Sequence, residues 1–149
     1  MNVPLTLFPV LKHQLVKAMS GYARDLFQEQ LPEKYLCNTC HGVLREAVQT
    51  FCGHRYCRQC FGEMIKEGSS NVCIACEREG VLDSLISFDE MYNDRAIRRE
   101  LNEQRVRCLN KGCGWTGFFR DYENHVTICP FEMISCIKSG CNDKFCGKI

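Results

Sequence analysis

The chain has 149 residues with a formal net charge of +1, and 13 of its residues are cysteine. The near-neutral charge leaves no electrostatic footprint for nucleic acid, and no stretch approaches the roughly 20 apolar residues of a membrane span. The cysteines exclude a single ordinary apolar domain: all of them lie from Cys37 onward, in units too short to bury a large core without staples. The staple is either disulfide or metal, and disulfides belong to an oxidising compartment. The N-terminus, MNVPLTLFPVLKHQ, does not read as a signal peptide, because no basic residue precedes its apolar start, Pro4 and Pro9 interrupt it and Lys12 ends it. With an odd cysteine count, zinc thiolates in a reducing, cytoplasmic compartment fit better.

Residues 1–33 contain no cysteine. Leu11, Leu15, Met19, Tyr22 and Leu26 recur at helical spacing, which predicts a partly helical segment packing on the next unit, limited by Gly21 and Pro32. Residues 34–80 are the densest cysteine region. Within it, Phe61 to Glu67 reads as a short helix with Phe61 and Ile65 on one face and Gly68 as its stop. Residues 81–105 read as a helical linker, in which Asp94 caps a helix running through Leu101, with Ile97 and Leu101 on one face. Arg95, Arg98, Arg99, Arg105 and Arg107 make this stretch basic against Glu100 and Glu103. No aromatic residue interleaves with them to stack on bases, so they read as a solvated helix face. Cysteines return at a different spacing in residues 106–130 and 131–149. The expected fold class is a row of small zinc-stabilised α+β modules.

The ligands of the first region run Cys37-x2-Cys40, x11, Cys52-x-His54, x2, Cys57-x2-Cys60, x12, Cys73-x2-Cys76. Paired donors one or two residues apart can reach one ion, and zinc takes four in a tetrahedron, so eight ligands fill two closed sites with no open position for substrate. His54 and Cys57 superficially suggest a thiolate–histidine nucleophile, but the metal pattern consumes both. His13 and His41 lie outside it and read as surface histidines. A second pattern follows, Cys108-x4-Cys113, x11, His125-x3-Cys129, again a four-ligand finger, with Trp115, Phe118 and Tyr122 as its small core. Cys136 and Cys141 repeat the x4 opening without a later histidine. They read as a partial site in an incomplete second finger, with no role for Cys146.

The first spacing is similar to the RING family. That resemblance implies a cross-brace, with Cys37, Cys40, Cys57 and Cys60 on one zinc and Cys52, His54, Cys73 and Cys76 on the other. A RING followed by a helical linker and such fingers resembles the tumour necrosis factor receptor-associated factors, nearest to the branch of factors one and two. KYLC at 34–37, CGHRYC at 52–57, the run from Ala96 to Leu101, CxxxGCxWxG at 108–117 and Tyr122-Glu123 carry the likeness. The family's C-terminal coiled coil and β-sandwich are not in this sequence, which reads as an N-terminal fragment or a truncated product. The resemblance implies a ubiquitin ligase that orients a charged conjugating enzyme, downstream of TNF-receptor-type receptors, or else a non-catalytic adaptor that dimerises. It maps the conjugating-enzyme groove onto Thr39, Ile74, Glu77 and Arg78. The first three depart from the usual apolar, proline and basic residues. It maps a dimer contact onto Tyr92. Protein partners and a homo-oligomer are expected, and nucleic acid is not.

Overall fold

The computed structural model describes residues 20–66, 71–82, 84–135 and 144–146. It divides into two compact units, the described residues of Met1–Arg24 and Leu31–Arg98, and those of Asp25–Gln30 and Arg99–Ile149.

The first unit is built on a small antiparallel sheet. Strands β1 (Val48–Thr50), β2 (Arg55–Tyr56) and β3 (Met91–Asn93) pair in the order β2-β1-β3. The register sets Val48 opposite both Tyr56 and Asn93, and Gln49 opposite Tyr92. The β1–β2 turn closes through Gly53 N–H donating to the Thr50 carbonyl at 2.9 Å, with Gly53 at φ 90°. That left-handed backbone suits glycine. Helices α1 (Arg58–Lys66) and α2 (Ile74–Arg78) follow. Val43, Leu44, Ala47, Val48, Tyr56, Phe61 and Ile86 are buried, and Phe61 packs against Tyr56 and Phe88 at ring separations of 6.4 and 5.9 Å. At about 1.5–3 kcal/mol per large buried side chain, so small a core needs additional cross-links.

The helix expected in the N-terminal segment is not formed over its described residues. Leu11, Leu15 and Met19 lie outside the described residues. Tyr22 instead exchanges both backbone hydrogen bonds with Val43, at 2.8 and 2.9 Å. A Cβ on Gly21 would stand 2.7 Å from the Val43 carbonyl oxygen, so glycine permits this approach. Only short 3-10 turns follow, at Arg24–Leu26 and Glu33–Tyr35. Helix α1 begins at Arg58, earlier than the apolar pattern suggests, and so carries Cys60.

Helix α3 (Arg95–Asn102) starts as expected: Asp94 Oδ1 accepts the Ile97 N–H at 3.0 Å. Its outer face is not uniformly solvated. Arg98 is half-buried, and its Nε and Nη2 have no hydrogen-bond partner. Arg105 and Arg107 lie on a strand rather than on the helix.

In the second unit, β4 (Arg105–Arg107) and β5 (Thr116–Phe118) form a hairpin leading into α4 (Phe119–Ile128). Phe27 bridges to Val106 and packs on Phe119 at 5.2 Å. Leu26, Phe27, Leu101 and Val106 are buried. Strands β6 (Met133–Ser135) and β7 (Lys144–Cys146) pair antiparallel. The backbone of Cys146 thus lies in a strand, while Cys136 and Cys141 lie outside the described residues.

Candidate metal centres

Among the described residues, three groups of four donors converge. In each, the ligand atoms all lie within 4.8 Å of one another: Cys37, Cys40, Cys57 and Cys60; Cys52, His54, Cys73 and Cys76; Cys108, Cys113, His125 and Cys129. The first two interleave along the chain as a cross-brace. His54 and Cys57 therefore belong to different centres, and Cys57 is 1% exposed, which removes the nucleophile pairing.

Centre one is formed by the loop after the Glu33–Tyr35 turn and by the start of α1. The loop folds back through Cys37 N–H to the Gly42 carbonyl, 2.9 Å, and His41 N–H to the Cys37 carbonyl, 3.0 Å. Backbone N–H groups point at the sulfurs: Thr39 and Cys57 donate to Cys37 Sγ at 3.4 and 3.3 Å, and Arg45 to Cys57 Sγ at 3.3 Å. Such bonds favour thiolate over thiol. Hydrogen bonds from Cys37 and then Cys57 hold the Cys40 thiol far below its ordinary range. The same crowding, led by Cys37, pushes Cys57 far above it. Burial pushes Cys60 up to about 12. A dication among these sulfurs relieves the conflict, because all four can then carry charge.

Centre two takes Cys52 and His54 from the β1–β2 turn and Cys73 and Cys76 from the start of α2. His54 Nδ1 lies 3.4 Å from each of the three sulfurs. Its Nε2 faces the other way, 3.0 Å from Glu79 Oε1. A carboxylate on the outer nitrogen fixes the tautomer that presents Nδ1 to a metal. Burial opposes it, but Cys52 and Glu79 raise the His54 pKa. Thr50 Oγ1 is 2.9 Å from Cys52 Sγ, and the Tyr56 hydroxyl is 3.0 Å from Cys73 Sγ. Burial works against the Cys52 thiolate, yet the Thr50 and His54 hydrogen bonds outweigh it and bring Cys52 down to about 6.

Centre three joins the β4–β5 loop to α4. Asn110 Nδ2 donates to Cys129 Sγ at 3.3 Å. Trp115 stacks on the His125 imidazole, with centroids 4.2 Å apart and planes at 8°. Gly117 makes room for it: a Cβ there would lie 2.6 Å from the indole. Burial alone lowers the His125 pKa, keeping the ring neutral and able to ligate. Trp115 and Tyr122 pack as expected, at 6.3 Å. Phe118 does not join them, because the Arg105 and Arg120 guanidiniums lie over its ring at 4.7 and 4.6 Å. Phe119 takes that place, stacking on Tyr122 at 6.5 Å.

The spacings suit zinc. Zn–S bonds of about 2.3 Å place tetrahedral sulfurs about 3.8 Å apart, and a sulfur–nitrogen edge is about 3.5 Å. The Cys40–Cys57 and Cys108–Cys129 sulfurs are 3.9 and 3.8 Å apart, and Cys113 Sγ lies 3.5 Å from His125 Nε2. Sulfur with imidazole, four donors and no spare position is the donor set of structural zinc.

Of the residues singled out for partner contacts, Ile74, Glu77 and Arg78 share helix α2, Thr39 lies in the first ligand loop and Tyr92 on β3. Thr39 and Ile74 are half-buried, and Glu77 and Arg78 are exposed. Thr39 Oγ1 is buried without a hydrogen-bond partner. Arg78 Nη1 donates to the Asn38 carbonyl at 2.9 Å. Tyr92 is 54% exposed on edge strand β3. His41 is exposed at φ 57°, and His13 lies outside the described residues. Glu79, Thr50, Tyr56 and Asn110 went unnoticed in the sequence, since no spacing rule marks a residue that touches a ligand only through space.

Residues 37–77 match the family model described as the TNF receptor-associated factor 2/3/5 RING domain. Human TNF receptor-associated factor 2 is 36% identical over 120 residues, covering 78% of this chain and 24% of the relative. Factor 5 of Mus musculus is 32% identical over 118 residues, covering 78% and 20%. Factor 6-A of Xenopus laevis is 32% identical over 130 residues, covering 87% and 22%. The chain belongs to the TNF receptor-associated factor family. It spans about a quarter or less of the length of these relatives. Its fold is that family's small α+β zinc modules, and its cofactor is zinc. In this member of the family, no helix among the described residues is long and apolar enough to cross a membrane.

Proposed function

We propose that the chain acts in ubiquitin transfer as a RING-type ligase module, in signalling below TNF-receptor-type receptors in the cytoplasm. All three centres are closed, so the metal supplies rigidity rather than a reacting water. Catalysis by such a module comes from holding a charged conjugating enzyme in a reactive orientation. The observation that carries the reading is the tie between the two metal loops. Arg78, just after the last RING ligand, donates to the carbonyl of Asn38, between the first two ligands. That bond draws the neighbourhoods of Thr39 and Glu77, two stretches proposed to touch the enzyme, toward one another.

The proposed groove is weak. Thr39 offers little apolar contact where one well-buried aliphatic side chain contributes about 1.5–3 kcal/mol, roughly ten- to a hundredfold in affinity. Thr39→Ile also removes a buried hydroxyl without a partner. Ile74→Pro falls on the first residue of α2, where proline is tolerated. The double variant is expected to raise autoubiquitination with a panel of conjugating enzymes by about tenfold or more. A folded, zinc-loaded double variant no more active than wild type would contradict the groove.

A second reading, a non-catalytic adaptor working as a dimer, is favoured by exposed Tyr92 on the edge strand. Sedimentation of wild type and Tyr92→Ala decides it: a dimer weakened by the substitution supports the reading, and monomers in both exclude it.

A further inference from the structure

Away from the ligand sulfurs, the first unit carries a cleft lined by Arg24, Glu33, Leu36, Asn38, His41 and Arg78, bordering Cys37. Each of its guanidiniums donates to one backbone carbonyl. Arg24 Nε donates to the His41 carbonyl at 2.9 Å, and Arg78 Nη1 donates to the Asn38 carbonyl at 2.9 Å. Each bond uses one of the five N–H donors of a guanidinium. Among the described residues, the ion pairs join His54 to Glu79, Arg55 to Asp94, and Arg120 to Glu103 and Asp121; neither Arg24 nor Arg78 pairs with a carboxylate.

Each guanidinium, exposed and tied to one carbonyl, keeps donors that match carboxylate or phosphate geometry. The walls choose between these. Glu33 also lines the cleft, and its carboxylate repels a phosphate dianion more strongly than a singly charged carboxylate. Leu36, half-buried, offers an apolar wall for the methylene carbons of an acidic side chain.

We propose that this cleft receives the carboxylate of an Asp or Glu side chain from a protein docked on the RING. Naming that protein as the ubiquitin-conjugating enzyme rests on the function proposed above; the carboxylate preference does not. The cleft supplies a charged anchor beside the weak apolar groove.

The test uses the full zinc-loaded chain and three capped tripeptides, Ala-Glu-Ala, Ala-Gln-Ala and Ala-phosphoserine-Ala, with the arginine side-chain N–H signals followed by NMR. The glutamate peptide should shift the Arg24 and Arg78 signals and saturate, the glutamine peptide should bind at least tenfold more weakly, and the phosphoserine peptide no more tightly than glutamate. Arg24→Gln and Arg78→Gln, neither of them a zinc ligand, should each weaken binding severalfold with three zinc ions retained. Equal binding of glutamate and glutamine, unmoved arginine signals, or tenfold tighter binding of phosphoserine would overturn the proposal. In a parallel arm, Arg24→Glu should weaken binding of a conjugating enzyme that wild type binds by about tenfold. An unchanged affinity there overturns the assignment of the conjugating enzyme as the source of the carboxylate. If the glutamate peptide binds while no enzyme of the panel does, the ubiquitin-transfer reading falls and the carboxylate site stands.

Discussion

The RING and the finger reach the same tetrahedral coordination by opposite routes. In the RING the two ligand sets interleave, so Cys52 and His54 of centre two sit between Cys40 and Cys57 of centre one. The loops are further laced together: Asn38 N–H and Nδ2–H both donate to the Arg55 carbonyl, at 3.2 and 3.1 Å, one residue beyond His54. In the finger the four ligands run in order around one ion, and orientation comes from a single aromatic stack, Trp115 on His125. Interleaving makes each RING metal a cross-link between parts of the chain distant in sequence. The finger's metal closes one hairpin onto one helix. Damage should therefore spread within the RING and stay local in the finger.

The largest effect expected in the finger comes from Gly117→Ala. The new methyl would meet the indole at 2.6 Å, so the stack must give way and His125 lose its alignment. Zinc at this centre should be lost or bound orders of magnitude more weakly while both RING metals remain. The fluorescence of Trp115, the chain's single tryptophan, should change with it. Loss of RING zinc in this variant would break the claim that damage stays local.

A smaller effect separates the two histidines. Zinc needs neutral imidazole, so a proton competes with it. The His54 pKa is raised and that of His125 lowered. As pH falls, the proton reaches His54 first, and centre two should release zinc at a higher pH than the finger. Glu79→Ala should weaken zinc at centre two by about tenfold, at the low end for a lost outer-shell partner because Glu79 is exposed. A chelator-competition titration followed by histidine NMR tests both, and release from the finger first would contradict the ordering.

Smaller still is the linker cap. Asp94 accepts Ile97 N–H at 3.0 Å and Arg55 Nε–H at 2.6 Å. Burial opposes its charged form, but Arg55 and the Ile97 amide hold its pKa below the usual carboxylate range. Its contribution is thus complete at neutral pH and is lost only as pH falls through that lowered value. Asp94→Ala should cost about 1–2 kcal/mol at pH 7, measured by denaturant unfolding of zinc-loaded protein. A change below a few tenths would show that the cap is solvated.

The ligands were legible because coordination demands paired donors at short spacing, and the Asp94 cap because capping is local. The pairing of ligand pairs into centres came through family resemblance, since spacing leaves it open. The N-terminal helix failed because apolar spacing carries no information about Val43, which captures Tyr22 by its backbone. Phe118 was misplaced for a similar reason: its neighbours Arg105 and Arg120 offer cations that an apolar count ignores.

Three closed zinc centres, two of them interdependent, can be counted by native mass spectrometry of reduced wild type and Cys57→Ser. Three zinc ions are expected in wild type and about one in the variant, with the finger's NMR signals intact and the RING's collapsed. Fewer than three zinc ions in wild type, or a variant that keeps centre two fully loaded and folded, would contradict this expectation.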